Sequence, residues 1–293
     1  MRGKKIITWA YRKSENLISE SGLGKYRAVQ TGGRLIRAKI KSNFVLKDGH
    51  KIFLDSNDSL KLSTTGDYEK FETDIVKKVV KKGDVVVDIG ANIGYYTLIL
   101  AKLVGDTGLV YAFEPEPTNF NLLKKNVEIN GYHNVILENK AVANLNGKIS
   151  FYLDSENLGG HSVFMKKDSK SVEIPSIRLD DYLKDVEKKI KFIKMDIEGG
   201  ELEAIKGMSS ILKENNDLKI MAEFNSPLLK DFKIVPEEYL QTFMRFGFKI
   251  FHLDGKEKKI IPIEIKDFLR RFPPENRSYT NILCSKVSMI ELE

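Results

Sequence analysis

Residues 85–97 read Val-Val-Val-Asp-Ile-Gly-Ala-Asn-Ile-Gly-Tyr-Tyr-Thr, and this stretch decides the fold. Three β-branched valines run up to Asp88, a turn carrying Gly90 and Gly94 follows, and an apolar helix begins. The pattern is a buried strand whose tip opens into a helix N-terminus, with backbone N–H groups and the positive end of the helix dipole facing outward. Neither glycine carries a Cβ, so a ligand can approach the backbone closely at both. The spacing is Gly-x3-Gly and lacks the G-x-G-x-x-G of a dinucleotide site. Asp88 at the strand end repels a pyrophosphate and attracts an ammonium or a sulfonium-bearing amino acid. Together these features favour S-adenosylmethionine over NAD.

A second acid extends the reading. Residues 108–114, Gly-Leu-Val-Tyr-Ala-Phe-Glu, form another short apolar run that ends at Glu114, 24 residues after Gly90. An acid at the tip of the second strand of a strand-helix-strand unit can accept both hydroxyls of a ribose. The competing reading is that Glu114 caps a helix starting near Pro117.

Four stretches resemble the FkbM family of S-adenosylmethionine-dependent methyltransferases. They are Gly-Asp-Tyr-Glu at 66–69, the run from Gly83 to Thr97, Arg-Leu-Asp-Asp-Tyr-Leu at 178–183, and Ile-Lys-Met-Asp-Ile-Glu-Gly-Gly-Glu at 193–201. The last is the most specific, because Lys-x-Asp-x-Glu-Gly-x-Glu is similar to the family signature. Asn92 stands where many members of the wider superfamily have a glycine, and Gly-Ala-Asn is common in FkbM proteins. The resemblance implies a seven-stranded, Rossmann-like, mostly parallel doubly wound sheet with a terminal antiparallel strand.

Around that frame the chain alternates strand and helix, as a parallel sheet with helices on both sides requires. Strands are expected near 85–89, 109–113, 134–138, 192–196, 218–223, 248–252 and 280–285. Helices are expected near 69–81, 94–104, 117–130, 200–214 and 234–246. Two segments interrupt the alternation: 148–153 places Ile149, Phe151 and Leu153 on one face, and 171–178 places Val172, Ile174 and Ile177 nearby. Between them a polar loop contains Gly-Gly-His-Ser, the kind of excursion on which substrate contacts are built. Residues 1–65 read as an N-terminal extension, a helix and a β-hairpin, covering one edge of a methyltransferase domain at 66–293.

Methyl transfer from a sulfonium is an in-line displacement that depends on positioning, and a hydroxyl acceptor gains from a nearby base. The strand at 192–196 delivers Asp196 and then Glu198 to its tip. Asp196 suits the cofactor's amino group or the acceptor, Glu198 the same work or the acceptor alone, and Glu201 the first turn of the next helix. Capping of that helix is the competing role for Asp196 and Glu198. His161, in the polar loop, is the candidate base among four histidines, against the alternative of a surface side chain without a role. Asp180 and Asp181 can cap a short helix at Tyr182. The candidate catalytic residues are therefore Asp196, Glu198 and His161. The candidate cofactor-binding residues are Glu69, Asp88, Gly90, Ala91, Asn92, Gly94, Thr97, Glu114, Pro115, Asn119, Asn139, Ala141 and Asp196. Asp196 and Glu198 lack a third ligand, so no metal is assigned.

Composition narrows the partners. The 293 residues carry a net charge of +7 from 48 basic and 41 acidic side chains, interspersed along the chain, which favours solvated faces over a nucleic-acid patch. The Asn/Asp-Pro-Pro-aromatic tetrad of base-amine methyltransferases is replaced by Asp-Ile-Glu-Gly at the fourth strand tip. The acceptor expected is a hydroxyl on a glycan or another small molecule, with a nucleic acid or a non-catalytic cofactor-binding scaffold as alternatives. Cys284 is the single cysteine, so no internal disulfide can form and a cytoplasmic setting fits. No run approaches the length of a membrane span. Ile6, Trp9, Ala10, Leu17 and Ile18 share a helical face flanked by basic residues, suited to packing on the protein or a second subunit, or to an anionic membrane surface.

Overall fold

A computed structural model describes residues 42–63, 66, 68–153, 170–276 and 279–287. The amphipathic N-terminal segment and His161 lie outside the described residues. The chain divides into two compact units at Tyr68/Glu69. In the first unit, β1 (Phe44–Lys47) and β2 (His50–Phe53) form an antiparallel hairpin. The sequence Lys-Asp-Gly-His turns it, with Asp48 and Gly49 both at positive φ.

The second unit follows the expected alternation. Its elements begin with α1 (Lys70–Val79), β3 (Val85–Ile89), α2 (Tyr95–Val104), β4 (Leu109–Phe113), α3 (Pro117–Ile129) and β5 (Val135–Glu138). A small excursion follows, of β6 (Ala141–Val142), β7 (Gly147–Leu153), β8 (Lys170–Ile177) and α4 (Leu179–Tyr182). The chain then returns through β9 (Ile190–Met195), α5 (Glu201–Gly207), α6 (Ser209–Glu214), β10 (Lys219–Phe224), α7 (Ser226–Asp231) and α8 (Pro236–Arg245). It ends with β11 (Lys249–Asp254), β12 (Lys259–Pro262), α9 (Ile265–Arg271) and β13 (Thr280–Ser285).

Among the described residues the main sheet has eight strands in the order β12-β11-β13-β10-β9-β3-β4-β5. The seven expected strands are all there, β13 runs antiparallel to both its neighbours, and β12 adds an eighth at the edge. β6, β8 and β7 form a separate three-stranded sheet, so the two segments that interrupt the alternation pair with each other. The helix expected over 200–214 is broken at Met208. A Cβ on Gly207 would lie 1.9 Å from the Ala143 carbonyl oxygen, so α5 presses against β6 and the chain restarts as α6.

Strand parity sorts the sheet into two faces. Val87 and Ile89, Ile193 and Met195, Ala222 and Phe224, and Ile282 and Cys284 point into one core with residues of α4 through α9. The alternate residues Val86, Asp88, Phe192, Lys194, Met221, Asn281 and Leu283 are also buried, on the opposite face, where α2 packs over β3 and β4. Both faces of the central strands are therefore covered, as a doubly wound sheet requires. That second face carries buried charge.

Candidate active site

The chain runs from β3 to β4 and β5 on one side, then crosses back to β9 and β10 on the other. Strand order reverses between β3 and β9, and a crevice at the carboxyl ends of the strands opens at such a reversal. The two tips meet there: the Asp196 N–H donates to the Ile89 carbonyl at 3.0 Å. A Cβ on Gly90 would lie 1.9 Å from the Asp196 carbonyl oxygen, and Gly90 has φ +80°. The space beside this glycine is thus filled by the neighbouring strand tip, not left open to a ligand as the sequence suggested. A Cβ on Gly94, at φ +95°, would lie 2.7 Å from the Leu123 side chain of α3. The N–H groups of Gly90, Ala91, Asn92 and Gly94 are all bonded within the protein, and Asn92 is held at φ 50° with its buried Oδ1 lacking a hydrogen-bond partner among the described residues.

Glu114 at the tip of β4 ties this loop down. Its Oε2 accepts from the Asn92 N–H at 2.8 Å and its Oε1 accepts from the Glu116 N–H at 2.9 Å. Capping of α3 falls to Glu116 instead, which accepts from the Asn119 N–H at 2.6 Å. Each Glu114 oxygen keeps a second lone pair, so the carboxylate can take two more donors side by side. Burial pushes its pKa up to about 8 against the pull of the two N–H bonds. Asn139 donates from Nδ2 to the carbonyls of Glu114 and Pro115 at 2.8 and 3.0 Å, bracing the β4 tip from the strand beside it. Ala141 is buried in β6.

Asp88 is differently placed from what its position at a strand end suggests. It is 1% exposed, and its Oδ2 accepts from the Thr97 hydroxyl at 2.5 Å. Burial lifts its pKa to about 6, with the Thr97 bond and the Lys194 charge pulling the other way. Asp88 and Thr97 therefore lock β3 to the first turn of α2, and both side chains are buried.

Lys194 is the main group that sequence reasoning passed over. It is 1% exposed near the carboxyl end of β9; its Nζ donates to Asp196 Oδ2 at 3.2 Å and lies 5.1 Å from the centre of the Tyr96 ring. Burial alone depresses a lysine pKa, yet the charges of Asp196, Glu69 and Glu223 outweigh it and the value is raised. Glu69 accepts from the Tyr96 hydroxyl at 2.8 Å and from Asn281 Nδ2 at 3.0 Å, and it makes no side-chain cap on α1. Glu223, also unassigned from sequence, lies one residue past the β9-β10 pair Met195–Ala222, beside Asp196. Burial and the nearby charges of Asp196, Glu198 and Glu201 hold its pKa well above the usual carboxylate range. The signal for both was parity: each is a charge at an alternate position inside an apolar strand, Phe-Ile-Lys-Met and Met-Ala-Glu-Phe.

The tip of β9 resolves the three acids of the signature stretch. The N-cap residue of α5 is Gly200, without a side-chain bond. Glu201 sits in the first turn, as expected, and its Oε1 accepts from the Ile197 N–H at 3.3 Å. Burial raises its pKa to about 7. Glu198 holds φ 49°, so three of the five non-glycine residues at positive φ among the described residues of the second unit, Glu69, Asn92 and Glu198, are candidate site residues. Such backbone costs about 1–3 kcal/mol per residue and gathers at functional sites. Asp180, by contrast, caps neither its own helix nor the site: its carboxylate accepts from the Ser210 and Ile211 N–H groups, both at 3.0 Å, at the start of α6.

Comparison with known proteins places the chain in a family. Residues 88–250 match the family described as Methyltransferase FkbM domain. The hexuronic acid methyltransferase AglP of Haloferax volcanii is 29% identical over 149 residues, covering 50% of this chain and 59% of that protein. Methyltransferase 1 of Beauveria bassiana is 22% identical over 144 residues, covering 42% of this chain and 57% of its own length. The chain thus matches well under two thirds of each of these relatives. A solved S-adenosylmethionine-dependent O-methyltransferase from Thermotoga maritima superposes with a TM-score of 0.44 at 14% identity, over 84% of this chain and 77% of that one, a likeness too loose to add to the family match.

Proposed function

Because the chain belongs to the FkbM methyltransferase family, we propose that it transfers a methyl group from S-adenosylmethionine to a hydroxyl of a glycan or another small molecule. The observation that carries this reading is the Glu114 carboxylate, held at the β4 tip by the N–H groups of Asn92 and Glu116 with a lone pair left on each oxygen. That donor-hungry pair suits the adjacent hydroxyls of a ribose. The orphaned Oδ1 of Asn92 in the neighbouring loop also fits a ligand rich in hydrogen-bond donors.

In this reading Glu114 and the loop Gly90–Gly94 hold the nucleoside, with Pro115, Asn119, Asn139 and Ala141 around the base. Asp196 and Glu69 lie on the side where the ammonium of the amino-acid end would be held. The cofactor supplies an electrophilic methyl group on sulfur. Glu198 is assigned to the acceptor, and His161 remains the candidate from the polar loop. A sugar acceptor is supported by the relative that methylates a hexuronic acid. The cytoplasmic setting proposed with it rests on the lone, buried Cys284. No helix among the described residues is long and apolar enough to cross a membrane.

Calorimetry with S-adenosylhomocysteine and NAD tests the cofactor, and mass spectrometry of glycans and lipids from a deletion strain tests the acceptor. Binding of S-adenosylhomocysteine, no binding of NAD, and loss of a methyl group from one glycan are expected. Binding of NAD alone would refute the reading.

A further inference from the structure

Glu223 and Asn281 stand directly opposite each other across the antiparallel pair β10–β13. Directly paired residues project to the same side of a sheet, here the side that carries Lys194 and Asp196. Asn281 is 4% exposed; its Nδ2 donates to Glu69, but its Oδ1 is buried without a hydrogen-bond partner among the described residues. Glu223 Oε2 is buried without one as well. Native proteins leave few buried oxygens unsatisfied. Two on a single register pair at the crevice suit a ligand that brings O–H or N–H donors.

The surrounding charge narrows that ligand. Asp196 and Glu198 lie near Glu223, and the buried ammonium of Lys194 already bonds Asp196. A carboxylate placed here would add a like charge to a poorly solvated cluster. A neutral polyol brings donors and no charge.

We propose that Glu223 and Asn281 form the acceptor subsite, which binds neighbouring hydroxyls of an uncharged sugar, and that Glu223 takes the proton of the hydroxyl being methylated. This rests on the methyl-transfer reading above. In the step the acceptor oxygen gives an electron pair to the methyl carbon and the pair of the C–S bond leaves with sulfur. The O–H proton passes to Glu223 Oε2. The sulfonium charge disappears as the carboxylate is neutralised, so the net charge of the site does not change.

The test uses the full chain, S-adenosylhomocysteine in calorimetry, urea unfolding, and labelled S-adenosylmethionine with two sets of probes. One set is methyl glycosides of glucose, galactose, mannose and rhamnose; the other is glucuronate and galacturonate. Transfer to at least one neutral glycoside and none to the uronates is expected. Glu223→Gln should bind S-adenosylhomocysteine as the wild type does, transfer about 100-fold more slowly, and unfold at an equal or higher urea concentration, since it removes a charge from an acidic cluster. A purely structural Glu223 would give the reverse, a lower urea midpoint with transfer by the folded fraction unchanged, and would overturn the proposal. So would a preference for uronates, or no transfer to any neutral glycoside by a wild-type chain that binds S-adenosylhomocysteine. A wild-type chain that does not bind S-adenosylhomocysteine would defeat the methyl-transfer reading itself. Should Glu223→Gln not fold, Glu223→Asp keeps the charge and withdraws the oxygen by about one bond, which should slow transfer up to about 100-fold; wild-type transfer by that variant would also overturn the assignment.

Discussion

Asp88 and Lys194 face each other directly across the parallel pair β3–β9, each only 1% exposed. The ammonium compensates a carboxylate that burial would otherwise make costly, and it serves Asp196 with the same three hydrogens. Removing one partner of such a pair leaves the other charge uncompensated. Lys194→Met should therefore lower stability by about 3–5 kcal/mol in urea unfolding. Adding Asp88→Asn to that variant should recover part of the loss, and a purely additive double variant would show that the two side chains do not interact.

Glu114→Ala should weaken binding of S-adenosylhomocysteine by about 10- to 100-fold, because hydrogen bonds to a charged group contribute about 1.5–3 kcal/mol. An unchanged dissociation constant in calorimetry would confine Glu114 to bracing the loop through Asn92 and Glu116.

The same residue gives the binding a pH dependence. Its pKa in the free protein is pushed up to about 8, so much of the group is protonated at neutral pH. Ribose hydroxyls donate to the ionised form and lower that pKa, so binding should release a proton and strengthen from about pH 6 to about pH 8, then level off. Calorimetry in buffers of different ionisation heat counts the protons. Affinity that falls over this range would contradict the assignment.

Stability without ligand should move in the opposite direction. Asp88, Glu201 and Glu114 have folded pKa values raised to about 6, 7 and 8 from ordinary values of 3.8, 4.5 and 4.5. Between those limits the folded chain binds more protons than the unfolded one. The stabilisation is fully present below the unfolded values and is lost as pH rises through the folded ones. The urea midpoint should be lower at about pH 8.5 than at about pH 5.5.

Asp180→Ala removes the acceptor for two N–H groups at the start of α6 and should cost about 1 kcal/mol. Cofactor affinity should not change. A large loss of affinity would place Asp180 in the binding machinery instead.

What the sequence made legible was local. Val85–Ile89 with its glycine-bearing turn, Leu109–Phe113 ending at an acid, and the register-forming runs 148–153 and 171–178 all read correctly, because alternation and turn chemistry are contained within a few residues. The contents of the crevice were less so. Asp88 reads as a ligand group at a strand tip, yet its partner is Thr97 one helical turn into α2. Asp180 reads as the cap of its own helix, yet its partners lie 30 residues away. Lys194 and Glu223 gain meaning only when β9 and β10 are laid side by side, since one strand shows a charge and two show a cluster. β12 is hidden by the polar run Gly-Lys-Glu-Lys-Lys that precedes it.

β13 enters the sheet between β10 and β11. A chain emerging from the ribosome can assemble β3, β4, β5, β9 and β10 beforehand, but β11 and β12 have no hydrogen-bonded place in that sheet until residues 280–285 arrive. Asn281 arrives with them. Closure of the sheet and completion of the acceptor pair are therefore one late event, and a chain cut short of residue 280 would lack both. It would also display the open flank of β10 and an orphaned β11–β12 ribbon, two unprotected edges that invite pairing between molecules.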